Sequence, residues 1–299
     1  MKEALLYILI CLIWGSTWIS IKVGLNGIPP FLGAGLRFLF SAGIFTIWIC
    51  LKKKRFRLDR SDKISAFSAG LLGFTFSYAF IYWAEQYIDS GLTAILFSTM
   101  PLFVALLSHF WTKSEPLTVR KLGGILTAMA GMAVLFLPLG RWPVHALGAM
   151  FAVLGSSVVS AVNLVILKKH SRNTDIYLLN ALGMSMGAVN LLLLSFLTES
   201  WHQAFWSPAN LLALSYLALF GSVAAFLAYY TLIKTLPATV LSTISLVFPV
   251  VAVFLGRFFL NERVTATTWV GIGAILCGVA LAAFQPSGNR PPQFVPPEL

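Results

Sequence analysis

From residue 4 to residue 284 the chain is a succession of apolar runs separated by short polar connections. A helix that crosses a bilayer needs roughly 17–25 mostly apolar residues. Ten runs meet that length: 4–23, 31–51, 66–87, 90–112, 120–138, 144–167, 176–197, 210–232, 237–259 and 266–284. Within hydrocarbon every backbone amide must find its partner inside its own segment or a closed barrel, and runs of this length satisfy that requirement as helices. The expected fold class is all-α integral membrane, with ten transmembrane helices and no room for a separate soluble domain. The first run has no small-residue cleavage site after it and is read as a retained helix. The tail 285–299, with five prolines at 286, 291, 292, 296 and 297, is expected to be disordered.

Composition agrees with the bilayer as solvent. Hydrophobic residues make up 58% of the 299 and charged residues only 10%, against roughly 25% charged in soluble domains. The net charge of +11 does not point to nucleic acid, because the basic residues gather in short loops between apolar runs. The connection after the second run holds Lys52, Lys53, Lys54, Arg55, Arg57, Arg60 and Lys63. With that loop cytoplasmic, Lys2, Lys113, Arg120, Lys121, Lys168, Lys169, Arg172, Lys234 and Arg290 fall on the same side, and only Lys22, Arg141, Arg257 and Arg263 on the other. Short loops rich in lysine and arginine stay on the cytoplasmic face, so both termini are expected there.

The two halves of the chain resemble each other. Gly73-Phe-Thr-Phe-Ser-Tyr-Ala-Phe-Ile-Tyr82 and Gly221-Ser-Val-Ala-Ala-Phe-Leu-Ala-Tyr-Tyr230 share their first glycine and last tyrosine at an offset of 148, and Pro101 meets Pro249 at the same offset. A one-residue slip then aligns Glu115-Pro-Leu-Thr118 with Glu262-Arg-Val-Thr265, and Gly124 and Gly131 with Gly271 and Gly278. More weakly, Gly15-Ser-Thr17 matches Gly155-Ser-Ser157. The division is 1–138 and 139–284, five spans each. Five is odd, so the second unit enters the membrane from the opposite side. Such inverted repeats suit alternating access around a shared central cavity.

The sequence resembles the EamA-type members of the drug/metabolite transporter superfamily. The likeness runs over roughly 4–284 and rests on Trp14-Gly-Ser-Thr-Trp18, Arg37-Phe38, Tyr82-Trp-Ala-Glu-Gln-Tyr87, Met100-Pro-Leu-Phe103 with Glu115, Phe248-Pro249 with Asn261-Glu262, and the glycine-rich fifth and tenth spans. That resemblance implies ten helices in a basket about a central cavity. It implies export or exchange of amino acids and other small metabolites at the bacterial inner membrane, a multi-pass plasma-membrane location, and no single shared substrate.

Candidate pathway residues follow from charge, proline and aromatic placement. Arg37, about six residues into its span, anchors a substrate carboxylate, forms half of an ion pair, or snorkels to the outer interface. Glu85 is the one carboxylate embedded in a span, read either as a solvated helix end or as a proton-coupling group. A contact of Arg37 or Lys22 with Glu85 is expected to hold the outward-closed state. Pro101 and Pro249 remove backbone donors in mid-span, and the carbonyls they free are expected to face the pathway. Trp14 with Trp18, Tyr78 with Tyr82, and Phe226 with Tyr230 each share a helix face and either wall an amphipathic cavity or pack the interior. Ser16, Thr17, Ser157 and Asn163 supply polar atoms on spans one and six.

Other chemistries lack their residues. Cys11, Cys50 and Cys277 are dispersed, and His109, His145, His170 and His202 accompany no HExxH or CxxC spacing. No metal, cofactor or ATP site is expected, GxxxxGK[ST] being absent. The small-xxx-small stretches Gly124–Ala128, Thr127–Gly131 and Ala274–Gly278 let helices approach closely, within a monomer in preference to a homodimer. The expected function is a secondary transporter of small metabolites. The alternatives are a channel-like facilitator and a membrane-embedded lipid-modifying enzyme, whose only close acidic pair would be Asp59 and Asp62.

Overall fold

The computed structural model describes residues 2–53, 58–114, 116–136, 144–260 and 266–283. The proline-rich tail, Arg141, and the Asn261-Glu262 segment with Arg263 lie outside them, as do Lys54, Arg55, Arg57 and Glu115. All regular structure among the described residues is helical.

In chain order the helices are α1 (Lys2–Leu25), α2 (Pro30–Leu51), α3 (Arg60–Ala84), α4 (Ser90–Phe110), α5 (Val119–Phe136), α6 (Val144–His170), α7 (Ile176–Thr198), α8 (Pro208–Ile233), α9 (Ala238–Ser242 continued by Ile244–Leu260) and α10 (Ala266–Ala283). Seven of them, α1 to α4 and α6 to α8, are long and apolar enough to cross a membrane, and shorter apolar stretches lie within α9 (Ala238–Val251) and α10 (Trp269–Ala282). The protein is therefore a multi-pass membrane protein. Its outward faces carry Leu5, Phe151, Phe196, Leu197 and Leu212, each at least 69% exposed, which only lipid can solvate without penalty.

Local chemistry sets the helix ends. Asp59 accepts from the Asp62 amide while the Asp62 carboxylate accepts from the Asp59 amide, a reciprocal capping box that starts α3. The acidic pair that an enzyme would have needed is thus engaged in starting a helix. Asp175 caps α7 at the amides of Tyr177 and Leu178. Ser207 caps α8 ahead of Pro208. The start of α2 has no cap of its own. Instead Glu199, just past the end of α7, accepts from the amides of Phe31 (2.7 Å) and Leu32 (2.9 Å), placing a carboxylate on the positive end of the helix dipole.

Packing between helices has a pattern. α2 packs on α7, and α5 on α10. α1 packs on α8 and α9, while α6 packs on α3 and α4. Adding five to each helix number converts one set of contacts into the other. Two helices are wound more loosely over one stretch, Ala69–Phe76 in α3 and Leu217–Ala224 in α8, both as π-helix. These stretches lie at the offset of 148 found between the half-sequences.

α5 and α10 meet through glycine. A Cβ on Gly124 would lie 2.7 Å from the Gly278 carbonyl oxygen, and one on Gly131 would lie 2.7 Å from that of Gly271. The expected small-residue contact thus exists inside one chain, between two backbones too close for side chains.

Candidate functional site

The π-helical stretches place the polar centre of the molecule. Widening a helix by one residue per turn frees carbonyls from the regular ladder, a feature recurrent at functional sites. Gly221, inside the α8 stretch, presents its carbonyl to two donors from other helices: Trp14 Nε1 at 3.0 Å and Arg37 Nη2 at 3.0 Å. Arg37 Nε donates to Ser222 Oγ at 2.7 Å, and Ser222 donates to the Leu217 carbonyl five residues back. Gly221 has to be glycine because a Cβ there would lie 2.9 Å from Thr17 Cγ2 and 3.1 Å from Arg37 Nη2. In α3, Gly73 serves the same end. Its Cβ would lie 2.7 Å from Asn163 Nδ2, and Asn163 Oδ1 accepts from Ser68 at 2.9 Å.

Beside these contacts lies a cavity of about 100 Å³ between the halves. α1 contributes Trp14, Thr17, Trp18 and Ile21, and α2 contributes Arg37. α3 adds Gly73, Ser77, Tyr78 and Ile81, and α4 adds Phe97 and Met100. From the second half come Ser160 and Asn163 on α6, Phe226 and Tyr229 on α8, and Leu241, Ser242, Ile244, Ser245 and Phe248 on α9. α7 supplies no wall residue. α7 is taken up by its packing on α2 and the π stretch of α3.

Arg37 is 1% exposed. Its guanidinium sits 5.0 Å from the Tyr78 ring centre and 5.3 Å from that of Phe38. Nη1 makes no hydrogen bond. The buried indole Nε1 of Trp18 is likewise unbonded. Trp14 packs edge-on to Phe226 (5.0 Å) and Phe248 (6.2 Å), so the aromatic walls are mutually fixed.

Two lysines mark opposite ends of the helix bundle. Lys22 Nζ donates to the carbonyls of Glu85 (2.6 Å) and Ile88 (3.1 Å), at the end of α3. Lys168 Nζ donates to those of Ile233 (2.7 Å) and Leu236 (2.6 Å), at the end of α8. Each acceptor pair maps onto the other at the 148-residue offset. α3 and α6 run antiparallel, with Ser77 against Ser156 and Ser68 against Asn163, so Lys168 lies at the end of α3 remote from Lys22. Each ammonium neutralises the negative end of a helix dipole.

The chain matches the EamA-like transporter family over residues 1–137 and 147–284. It belongs to that family. A relative described as the uncharacterized transporter YoaV of Bacillus subtilis (strain 168) is 29% identical over 287 residues, covering 95% of this chain and 97% of the relative. The uncharacterized inner membrane transporter YedA of Escherichia coli (strain K12) is 30% identical over 273 residues, covering 90% and 87%. A crystal structure at 18% identity superposes with a TM-score of 0.78 over 94% of this chain and 96% of its own, which shows the shared fold. Membership of the EamA-like family places the protein among membrane transporters, not enzymes.

Within this family frame the sequence-derived residues separate into groups. Trp14, Thr17, Trp18, Arg37, Tyr78, Asn163 and Phe226 line the cavity. Tyr82 and Tyr230, 3% and 2% exposed, are packed behind it. Ser16 is occupied by the Ile13 carbonyl and the Tyr216 hydroxyl. Glu85 is fully buried at the end of α3, with neither carboxylate oxygen hydrogen-bonded. Lys22 reaches its backbone carbonyl, and Arg37 is committed to α8, so neither expected side-chain ion pair forms in this state.

The prolines depart most from expectation. Pro249 withholds a donor from the Ser245 carbonyl and Pro101 from the Phe97 carbonyl. Neither oxygen is left to a watery path: Ser98 Oγ lies 2.6 Å from the first and Ser157 Oγ 3.2 Å from the second. Pro101 itself begins the second segment of α4, after a turn at Ser98–Thr99, so it starts a helix where mid-helix interruption was expected. The α1 match to Gly155-Ser-Ser157 also shifts. Thr17 on Gly221 and Asn163 on Gly73, like Lys22 and Lys168, set the α1-to-α6 offset at 146. Sequence reading missed Phe97, Met100, Tyr229 and the α9 stripe of Leu241, Ser245 and Phe248. Its helical spacing, and the 148-residue match of Met100 to Phe248, were the available signals.

Proposed function

We propose that the protein is a secondary transporter that exports or exchanges small organic metabolites by alternating access. In this reading two five-helix units, inverted relative to each other with an axis in the membrane plane, rock about the cavity they share. The observation that carries it is the cavity walled by both halves, with equivalent lysine clamps toward its opposite ends. The n-to-n+5 exchange of helix contacts and the paired π stretches support the same relation. Lys22 closes the face away from the cytoplasm and Lys168 the cytoplasmic face, given termini in the cytoplasm from the lysine and arginine distribution. Release of one clamp while the other holds opens one end at a time, a shift between two populations.

The test is side-specific labelling in a variant without the three native cysteines. Asp89→Cys and Thr235→Cys occupy corresponding connections, after α3 and after α8. They are expected to react with a membrane-impermeant maleimide from opposite faces. Ser160→Cys, in the cavity wall, is expected to react from either face, and never with both clamps open at once. Labelling of residues 89 and 235 from one face removes the inverted arrangement. Simultaneous access to residue 160 from both faces makes the protein a channel.

A further inference from the structure

We propose that the cavity selects solutes that pair an aromatic or apolar body with a single carboxylate and no amine, the carboxylate being held by Arg37. This rests on the transporter reading above and names its cargo class.

The charge distribution argues for it. Arg37 is buried, yet every acceptor it reaches is neutral: the Ser222 hydroxyl, the Gly221 carbonyl and the neighbouring hydroxyls of Tyr78 and Tyr82. None of the cavity-lining residues is an aspartate or glutamate. A guanidinium removed from water and left without a counter-ion is held at a cost of several kcal/mol. A carboxylate entering the cavity recovers that cost. It forms a charge-assisted hydrogen bond to Nη1, which has no partner in hydrogen-bonding geometry although the Tyr78 and Tyr82 hydroxyls lie near the guanidinium. The unbonded indole N–H of Trp18 is a second donor on the same wall. A site of net positive charge disfavours amines: an ammonium group would meet the field of Arg37 and find only neutral hydroxyl and amide oxygens, with no carboxylate. Rings of Trp14, Phe226 and Phe248 present the apolar surface that the body of such a solute would cover.

Arg37 is not free to leave this post. Its Nε and Nη2 are tied to the π stretch of α8, while its own backbone belongs to α2 in the other half. A solute on Nη1 therefore touches the seam between the two units, where its binding energy can bias their relative position.

The experiment uses the full-length protein in detergent, with intrinsic tryptophan fluorescence and calorimetry as readouts. Three probes share one body: 3-phenylpropionate, 3-phenylpropionamide and 3-phenylpropylamine. L-phenylalanine is the fourth. The expected order is propionate at least tenfold tighter than the amide, phenylalanine weaker than propionate, and no saturable binding of the amine. In Arg37→Gln the acid and the amide should bind within twofold of each other, and Arg37→Lys should retain a preference for the acid smaller than that of the wild type. Acid and amide of equal affinity in the wild type overturn the proposal, as does tighter binding of the amine or of phenylalanine. Failure to bind 3-phenylpropionate at all also overturns it. Should Arg37→Gln fail to fold, the wild-type comparison of acid, amide and amine decides alone. These outcomes leave the labelling test untouched, so loss of acid selectivity with retained two-sided access of residue 160 defeats only the cargo assignment.

Discussion

Ser98 Oγ lies 2.6 Å from the carbonyl oxygen of Ser245, the oxygen that Pro249 deprives of its helical donor. The hydroxyl is also 2.7 Å from its own Ala94 carbonyl, but that oxygen already receives the Ser98 amide at 3.0 Å. The single hydroxyl proton is therefore needed at Ser245. One half of the molecule thus completes the backbone of the other across their interface.

Replacing Ser98 with alanine leaves the Ser245 carbonyl buried without that donor, at a cost of about 1–3 kcal/mol. The expected result is a lower midpoint of thermal unfolding in detergent. Pro249→Ala restores an amide to the same carbonyl. In that background Ser98→Ala should cost measurably less, and the double-mutant cycle should show coupling. Strict additivity of the two changes would contradict the assigned role.

The lysine clamps predict opposite phenotypes from matched changes. Lys22→Met releases the end of α3, and Lys168→Met releases the end of α8. Each is expected to raise labelling of Ser160→Cys from one face only, the two faces being different. Identical labelling profiles for the two variants would show that the clamps do not gate opposite ends.

Glu199 holds the first amides of α2 from beyond the end of α7. Glu199→Ala removes two bonds from a charged acceptor, each worth about 1.5–3 kcal/mol as a class, together with its contact to Ser195. A clear loss of thermal stability is expected. Glu199→Gln, which keeps one acceptor oxygen without charge, should fall between alanine and wild type.

Glycine pairs at the α5–α10 contact predict a graded series. Gly124→Val forces a side chain against the Gly278 carbonyl and the Ala282 amide. Overpacking of this kind costs typically about 1–3 kcal/mol or more. Gly123→Ala and Gly273→Ala, where no atom lies within 4 Å, should be neutral or stabilising by up to about 1 kcal/mol, since alanine favours the helix. Equal effects at Gly124 and Gly123 would mean that the close backbone approach is not required.

Hydropathy alone placed the helices closely: the expected 31–51 and 176–197 are observed as Pro30–Leu51 and Ile176–Thr198. The segments matched at the 148-residue offset, from Gly73 and from Gly221, overlap the two π stretches in part, although nothing in the match foretold their winding. Its weaker counterpart in α1 failed. Gly15-Ser-Thr17 and Gly155-Ser-Ser157 look alike as text, but Thr17 and Asn163 are the residues that occupy equivalent places against Gly221 and Gly73.

The sequence by itself determined where the chain enters and leaves the apolar phase, because partition into lipid is a property of each run of about 20 residues on its own. It also carried the 148-residue match between the halves, since matching residues need no third dimension to be compared. Which face of each helix meets which neighbour was decided only by the tertiary structure. Lipid is as apolar as a helix interior, so hydropathy carries no record of that choice. Arg37 turning to Gly221 and Ser222, serines covering the carbonyls beside Pro101 and Pro249, and the absence of α7 from the cavity wall all depend on packing between residues more than 50 positions apart.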